Sequence, residues 1–126
     1  MSYLDAMRDE AWLLAGKNKK VVGVLSYLVG HVEPVLEGYA PSLYVTTIAV
    51  SGSCRGSGLA TALYNALYAQ ARQSDVRWIT TRTWSTNVGH MRLLYGQGYT
   101  EVARQVRDSF VDSVYLARPV ALGRPV

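Results

Sequence analysis

The 126 residues include one cysteine, one phenylalanine, two histidines and four prolines. With Cys54 alone, no intrachain disulfide can form, so packing must hold the fold and a reducing, cytoplasmic setting is expected. No apolar run reaches the ~20 residues that a membrane-spanning helix needs. The start, MSYLDAMRDE, is acidic and mixed, unlike a secretory signal. Charged residues make up 17% and are scattered. Their one cluster, Lys17, Lys19 and Lys20, suits a polar turn better than a nucleic-acid surface. Repeats, low-complexity tracts and linkers are all lacking.

What is present points to one domain over residues 1–126. Apolar side chains are 49% of the total, enough for a core. The net charge of +4 favours an anionic partner. Residues 2–9 read as the last turns of a helix. WLLA and VVGVLSYLVG read as two strands about a turn supplied by Gly16 and Asn18. HVEPVLEGYAPS is loop, and LYVTTIAV (43–50) is a strand rich in β-branched residues. Leu59, Leu63, Ala66, Leu67 and Gln70 follow helical spacing over 59–73. RWITTRTW (77–84) is a strand. Asn87 caps a second helix that stops at Gly96 and Gly98, and 99–107 with 112–118 form a terminal hairpin. The order β-β-β-α-β-α-β-β implies a mixed α/β sheet. Its first strands are antiparallel, and a right-handed parallel crossover spans 43–84.

Between strand and helix of that crossover lies SGSCRGSGLATALY, residues 51–64. A helix start offers unpaired N–H groups and a partial positive charge. Gly52, Gly56 and Gly58 leave that backbone bare, and Arg55 adds a forked cation. The combination suits phosphate. It is not a P-loop, because Leu59 and Ala60, rather than Lys and Ser/Thr, follow Gly58. It is not a dinucleotide-binding loop either, because the next strand ends in no acid.

Arg55-Gly56-Ser57-Gly58-Leu59-Ala60 resembles the R/Q-x-x-G-x-G/A signature of the GNAT superfamily of acetyl-coenzyme A dependent N-acetyltransferases. Three other features fit. The motif comes after a strand ending Ile48-Ala49-Val50, Asn87 opens the second helix, and that helix leads into Gly98-Tyr99. The resemblance spans residues 10–118 and implies a cosubstrate, acetyl-CoA. Its pantetheine would lie beside Ile48, Ala49 and Val50, and its pyrophosphate on the amides of residues 55–60. Thr61 and Asn87 complete the implied cofactor set. The thioester carbonyl would meet an N–H near Ile48, and a neutral primary amine would attack directly, with no metal.

The resemblance also implies an acid and a base. Its tyrosine acid falls on Leu94, and Tyr95 comes one residue later, about 100° round the helix. Tyr95 is the candidate acid. Tyr44 stands where some members carry a glutamate base, and Glu37 or Glu33 could act through a water. His31 titrates in the right range at a strand end. His90 is expected on the outer face of its helix. Trp84, at a strand's carboxyl end, is placed to flank the acceptor, and Cys54 reads as a small turn residue. Family members usually carry a strand and two helices before residue 10, so the chain reads as lacking them, and a homodimer is expected to cover the exposed edge. A catalytically silent coenzyme A-binding module, or a small basic adaptor, are the readings from other classes.

Overall fold

The structure, a computed structural model, describes residues 10–30, 33–108 and 110–121. The expected helical turn over residues 2–9, and His31, lie outside them. Six strands form one sheet in the order β1-β2-β3-β4-β6-β5. The strands are β1 (Ala11–Lys17), β2 (Lys20–Val29), β3 (Ser42–Val50), β4 (Trp78–Trp84), β5 (Thr100–Val106) and β6 (Asp112–Pro119). The helices are α1 (Leu59–Arg72) and α2 (Val88–Gly96). The mixed sheet, the antiparallel first strands and the parallel β3–β4 crossover are as the periodicities imply.

The β1–β2 turn differs in detail. Asn18 and Lys19 make it, with φ of 53° and 65°. A two-residue hairpin loop that matches the sheet's twist needs positive φ at both positions. Gly16 is not in the turn but in β1, where the register shifts between Ala15 and Gly16. A second irregularity matters more. Tyr27 pairs with Val45 and Ser26 with Thr47, so Thr46 is an extra residue in β3. Such a bulge bends its strand and re-aims the residues beyond it. The Ser26 and Thr46 hydroxyls share a 2.7 Å hydrogen bond across it.

The terminal hairpin does not simply extend the sheet. β6 inserts beside β4, along the whole length from Trp78↔Pro119 to Trp84↔Ser113, and β5 takes the edge. A strand so placed is covered on both faces, and Ser113–Arg118 are all buried.

One face of the sheet carries α1. Leu63, Tyr64, Leu67, Tyr68 and Ala71 pack with Leu25, Leu43, Val45, Ile79, Val114 and Leu116, joined by Leu94 and Tyr99. α1 lies close over Gly23, where an added Cβ would be 3.1 Å from Leu59 and 3.2 Å from Leu63. The opposite face holds a smaller cluster of Leu36, Tyr44 and Tyr115. Arg118 is buried without a carboxylate partner among the described residues. Its guanidinium lies 3.9 Å from the Tyr68 ring centroid and donates to the Gln97 carbonyl at 3.0 Å.

Leu67 is fully buried at the centre of the α1 interface. Leu67→Ala is expected to cost about 2–5 kcal/mol, the range for a leucine truncation in a packed core. Urea unfolding with an unchanged m-value checks this.

Candidate active site

The parallel β3–β4 ladder has four pairs, from Ser42↔Trp78 to Val45↔Thr81. At the last, the Thr81 hydroxyl donates to the Val45 carbonyl at 3.1 Å. Beyond it the strands part. Thr46–Val50 continue against β2 alone and Arg82–Trp84 against β6 alone. The fork encloses a cleft of about 550 Å³, a size suited to a small-molecule site. Ile48, Ala49 and Val50 form one wall, Arg82, Thr83 and Trp84 the other, and Ala60, Asn87, Gly89, His90 and Leu93 close it from the helices.

Among the described residues, no aspartate or glutamate lines the cleft. Arg82 does, with its guanidinium 5.6 Å from the Trp84 ring centroid and no ion pair among the described residues. Such a surface favours an anionic occupant.

At the head of α1, Gly52–Cys54 make one turn of 3-10 helix. Gly56 and Gly58 take φ of 78° and 82°, which side chains with a Cβ rarely adopt. An added Cβ at either would meet nothing within 4 Å, so both are dictated by backbone conformation, and the space over the loop is open. Gly58 is the N-cap of α1 and no side chain caps it. The first N–H groups of the helix therefore face that space. Three loop amides are engaged locally, Cys54 N–H with the Ser51 carbonyl at 2.9 Å, Arg55 N–H with Gly52 at 3.4 Å and Ser57 N–H with Cys54 at 3.3 Å. The Ser57 hydroxyl also donates to the Cys54 carbonyl. Arg55 is exposed, Thr61 lies in the first turn of α1, and Cys54 is a half-buried turn residue.

The candidate acid and bases are placed apart from the cleft. Tyr95 is 46% exposed and does not line it. Leu94, at the tyrosine's expected position, is fully buried. Glu37 is an exposed residue closing a short 3-10 turn. Tyr44 is buried on the opposite face with Leu36 and Tyr115. Burial, and then the charge of Glu33, push its phenol up to about 12 against the opposing pull of Arg82. It stays protonated at neutral pH and so cannot accept a proton.

His90 is a correction. It was expected on the outer face of its helix, but its ring points inward and lines the cleft. Asn87 caps α2 by accepting the His90 N–H at 3.4 Å, which sets the helix phase. His90 then shares a face with Leu94, four residues on and fully buried. That i,i+4 relation to an apolar residue was the available signal. His90 Nε2 is 2.8 Å from the Tyr64 hydroxyl and Nδ1 is 3.3 Å from Thr83 Oγ1. Burial lowers the imidazole pKa from its ordinary value. Thr83 and Tyr64, the first on the cleft wall, were also missed, since their role depends on a contact between distant segments.

The parallel pairing of β3 and β4 thus forks, and an uncapped, glycine-led helix starts at the mouth of the fork. A sequence profile described as the Acetyltransferase (GNAT) family matches residues 1–99. The chain belongs to that family and is an acyl-CoA N-acyltransferase by class. No curated protein matches its sequence significantly. Among solved structures it is similar to the ribosomal-protein-alanine N-acetyltransferase of Brucella melitensis. The identity is 26%, the TM-score is 0.72, and 92% of this chain and 73% of that one are covered. It is also similar in fold to yncA of Salmonella typhimurium, solved with its cofactor acetyl-CoA. Here the identity is 19%, the TM-score 0.73, and the coverage 98% and 72%. The ribosomal-protein-S18-alanine N-acetyltransferase of Escherichia coli shares the fold too, at 16% identity and TM-score 0.73, with 92% and 72% covered.

A histidine with a lowered folded-state pKa binds fewer protons than the unfolded chain once the pH falls below about 6.5. Its contribution to stability is therefore present above that pH and is lost on acidification toward the folded-state value. Removing both ends of the contact with His90→Phe/Tyr64→Phe is expected to flatten the loss. Melting temperatures of both proteins at pH 7.5 and 5.5 check this, the difference being larger in the wild type.

Proposed function

We propose that the chain transfers an acetyl group from acetyl-CoA to a primary amine by direct attack. The coenzyme's diphosphate rests on the backbone of residues 55–60, and its pantetheine arm lies along Ile48, Ala49 and Val50. The observation that carries this reading is the forked cleft, free of acids among the described residues, opening onto a helix start that no side chain caps. An uncapped helix start is a ready anion site. The arm's amides need backbone partners, and β3 beyond Val45 has an edge that no strand occupies on the β4 side. Arg55 and Arg82 supply cations at the loop and on the cleft wall. Thr61 adds an N–H in the first turn of α1, and Asn87 and Trp84 stand at the rim, Trp84 on the side where an acceptor would enter.

The chemistry asks little of the protein. The amine must arrive neutral, the thioester must be aligned, and the departing thiolate must gain a proton. Glu33 or Glu37, neither of which lines the cleft, is the base this reading assigns, acting on the amine through water. A silent coenzyme-binding module is the second reading, favoured by the position of Tyr95 outside the cleft. In either case a homodimer along β1 fits the reading: β1 is a sheet edge, and Trp12 and Leu14 on it are 47% and 61% exposed.

Acetyl-CoA at a hundred times its dissociation constant should stabilise the protein by about 2.7 kcal/mol, seen as a raised melting temperature; no shift removes both readings. Gly58→Val introduces a β-branched residue at positive φ and a side chain over the loop's amides. Its affinity for acetyl-CoA is expected to fall at least about tenfold, with far-UV circular dichroism retained. Unchanged affinity contradicts the loop assignment. Thiol release from acetyl-CoA with a panel of primary amines separates the enzyme from the silent binder. Light scattering should give a dimer that Leu14→Lys converts to monomer.

A further inference from the structure

Tyr64 is fully buried, and its hydroxyl has one hydrogen-bond partner among the described residues, His90 Nε2 at 2.8 Å. Its ring is otherwise enclosed by those of Tyr68, Tyr99 and His90 itself. A phenol carries one hydrogen, and if it accepted from an Nε2–H that hydrogen would be stranded in the core. The arrangement that leaves nothing unpaired has the phenol donating to Nε2. The neutral imidazole must then carry its proton on Nδ1, which is 3.3 Å from Thr83 Oγ1. Thr83 thus accepts, and its own hydroxyl hydrogen is left to point elsewhere. Thr83 is only 7% exposed, and the open space it meets is the cleft.

We propose that Tyr64, His90 and Thr83 form a directional hydrogen-bond relay that holds the Thr83 hydroxyl as the proton donor for the thiol released in the cleft. This rests on the acetyl-transfer reading above. Thr83 is the catalytic residue; His90 and Tyr64 are positioning residues. As the amine nitrogen bonds to the acyl carbon, the carbon–sulfur bond breaks and the sulfur leaves with the bonding pair. The sulfur takes the Thr83 hydroxyl proton, and Oγ1 takes in exchange a proton that the acylated nitrogen must lose. The net change is one proton moved from nitrogen to sulfur, with Tyr64 and His90 keeping theirs. No group in the relay has to bear a lasting charge, as suits a half-buried imidazole and a buried phenol.

Two measurements test this. Long-range nitrogen-15 NMR of the coenzyme-free protein should show His90 as the Nδ1–H tautomer, and Tyr64→Phe should release that preference. An Nε2–H tautomer in the wild type overturns the relay without reference to activity. In steady-state thiol release, Thr83→Val is expected to lower kcat about a hundredfold, the low end of what a positioned proton donor contributes. Acetyl-CoA affinity should stay within about twofold of wild type, and Thr83→Ser should recover most of kcat. If the wild type is active and Thr83→Val keeps its kcat, or loses melting temperature and coenzyme affinity in proportion, Thr83 is a packing residue and the relay falls while the transferase reading stands. If the wild type binds no acetyl-CoA and releases no thiol, both fall.

Discussion

The site depends on where one parallel ladder stops. β3 and β4 pair through Val45↔Thr81 and no further. Two side chains mark that point: Thr81 bonds the Val45 carbonyl, and Ser26 holds the extra residue Thr46 from the other side. A bulge of one residue is enough to swing the rest of β3 away from β4. Everything else in the cleft derives from the fork. The strands keep their outer partners β2 and β6, so separating them sacrifices few ladder bonds. The inner edges are left with backbone groups that a bound molecule can satisfy. The helix that starts at Gly58 sits at the mouth because the crossover must begin at the end of β3.

The helix face of the fork is also where the core is most polar. Tyr64, Tyr68, Tyr99 and the buried Arg118 lie side by side, and the Tyr68 hydroxyl bonds both Gln97 and Tyr99. Gln97 Nε2 finds no partner among the described residues, but the satisfied groups of such a network fix side-chain directions tightly. Tyr64 extends the network to His90, and His90 extends it to the cleft wall. The same burial keeps the tyrosines protonated and the histidine neutral. A rigid, uncharged wall beside a cleft that carries cations at its rim divides the labour between positioning and charge.

Much of the fold was legible in the sequence because its signals are local. Alternation marked the strands, the Leu63–Leu67 spacing marked α1, and Asn87 announced α2 one residue before it starts. The loop was legible for the same reason: a left-handed residue at the head of a helix favours glycine, and Gly58 is one. The failures have physical causes. Gly16 was assigned to the turn because glycine is the usual turn residue, but Asn18 and Lys19 took the positive φ values and Gly16 went to the bulge. A polar residue on a short helix usually faces water, so nothing in the residue type of His90 signals its inward turn. The partner that drew it inward, Tyr64, is 26 residues away.

What the residues determined by themselves was the order of elements, the parallel crossover and the glycine-led start of α1, since each comes from spacing, propensity or backbone sterics within a few residues. Only the tertiary structure decided that β6 lies between β4 and β5, that Thr46 bulges so the sheet forks after Val45, and that His90 reaches across to Tyr64 and Thr83. Those outcomes belong to contacts between segments distant in the chain. Which side chain meets which is settled there by the packing of the whole core, and no local pattern carries it.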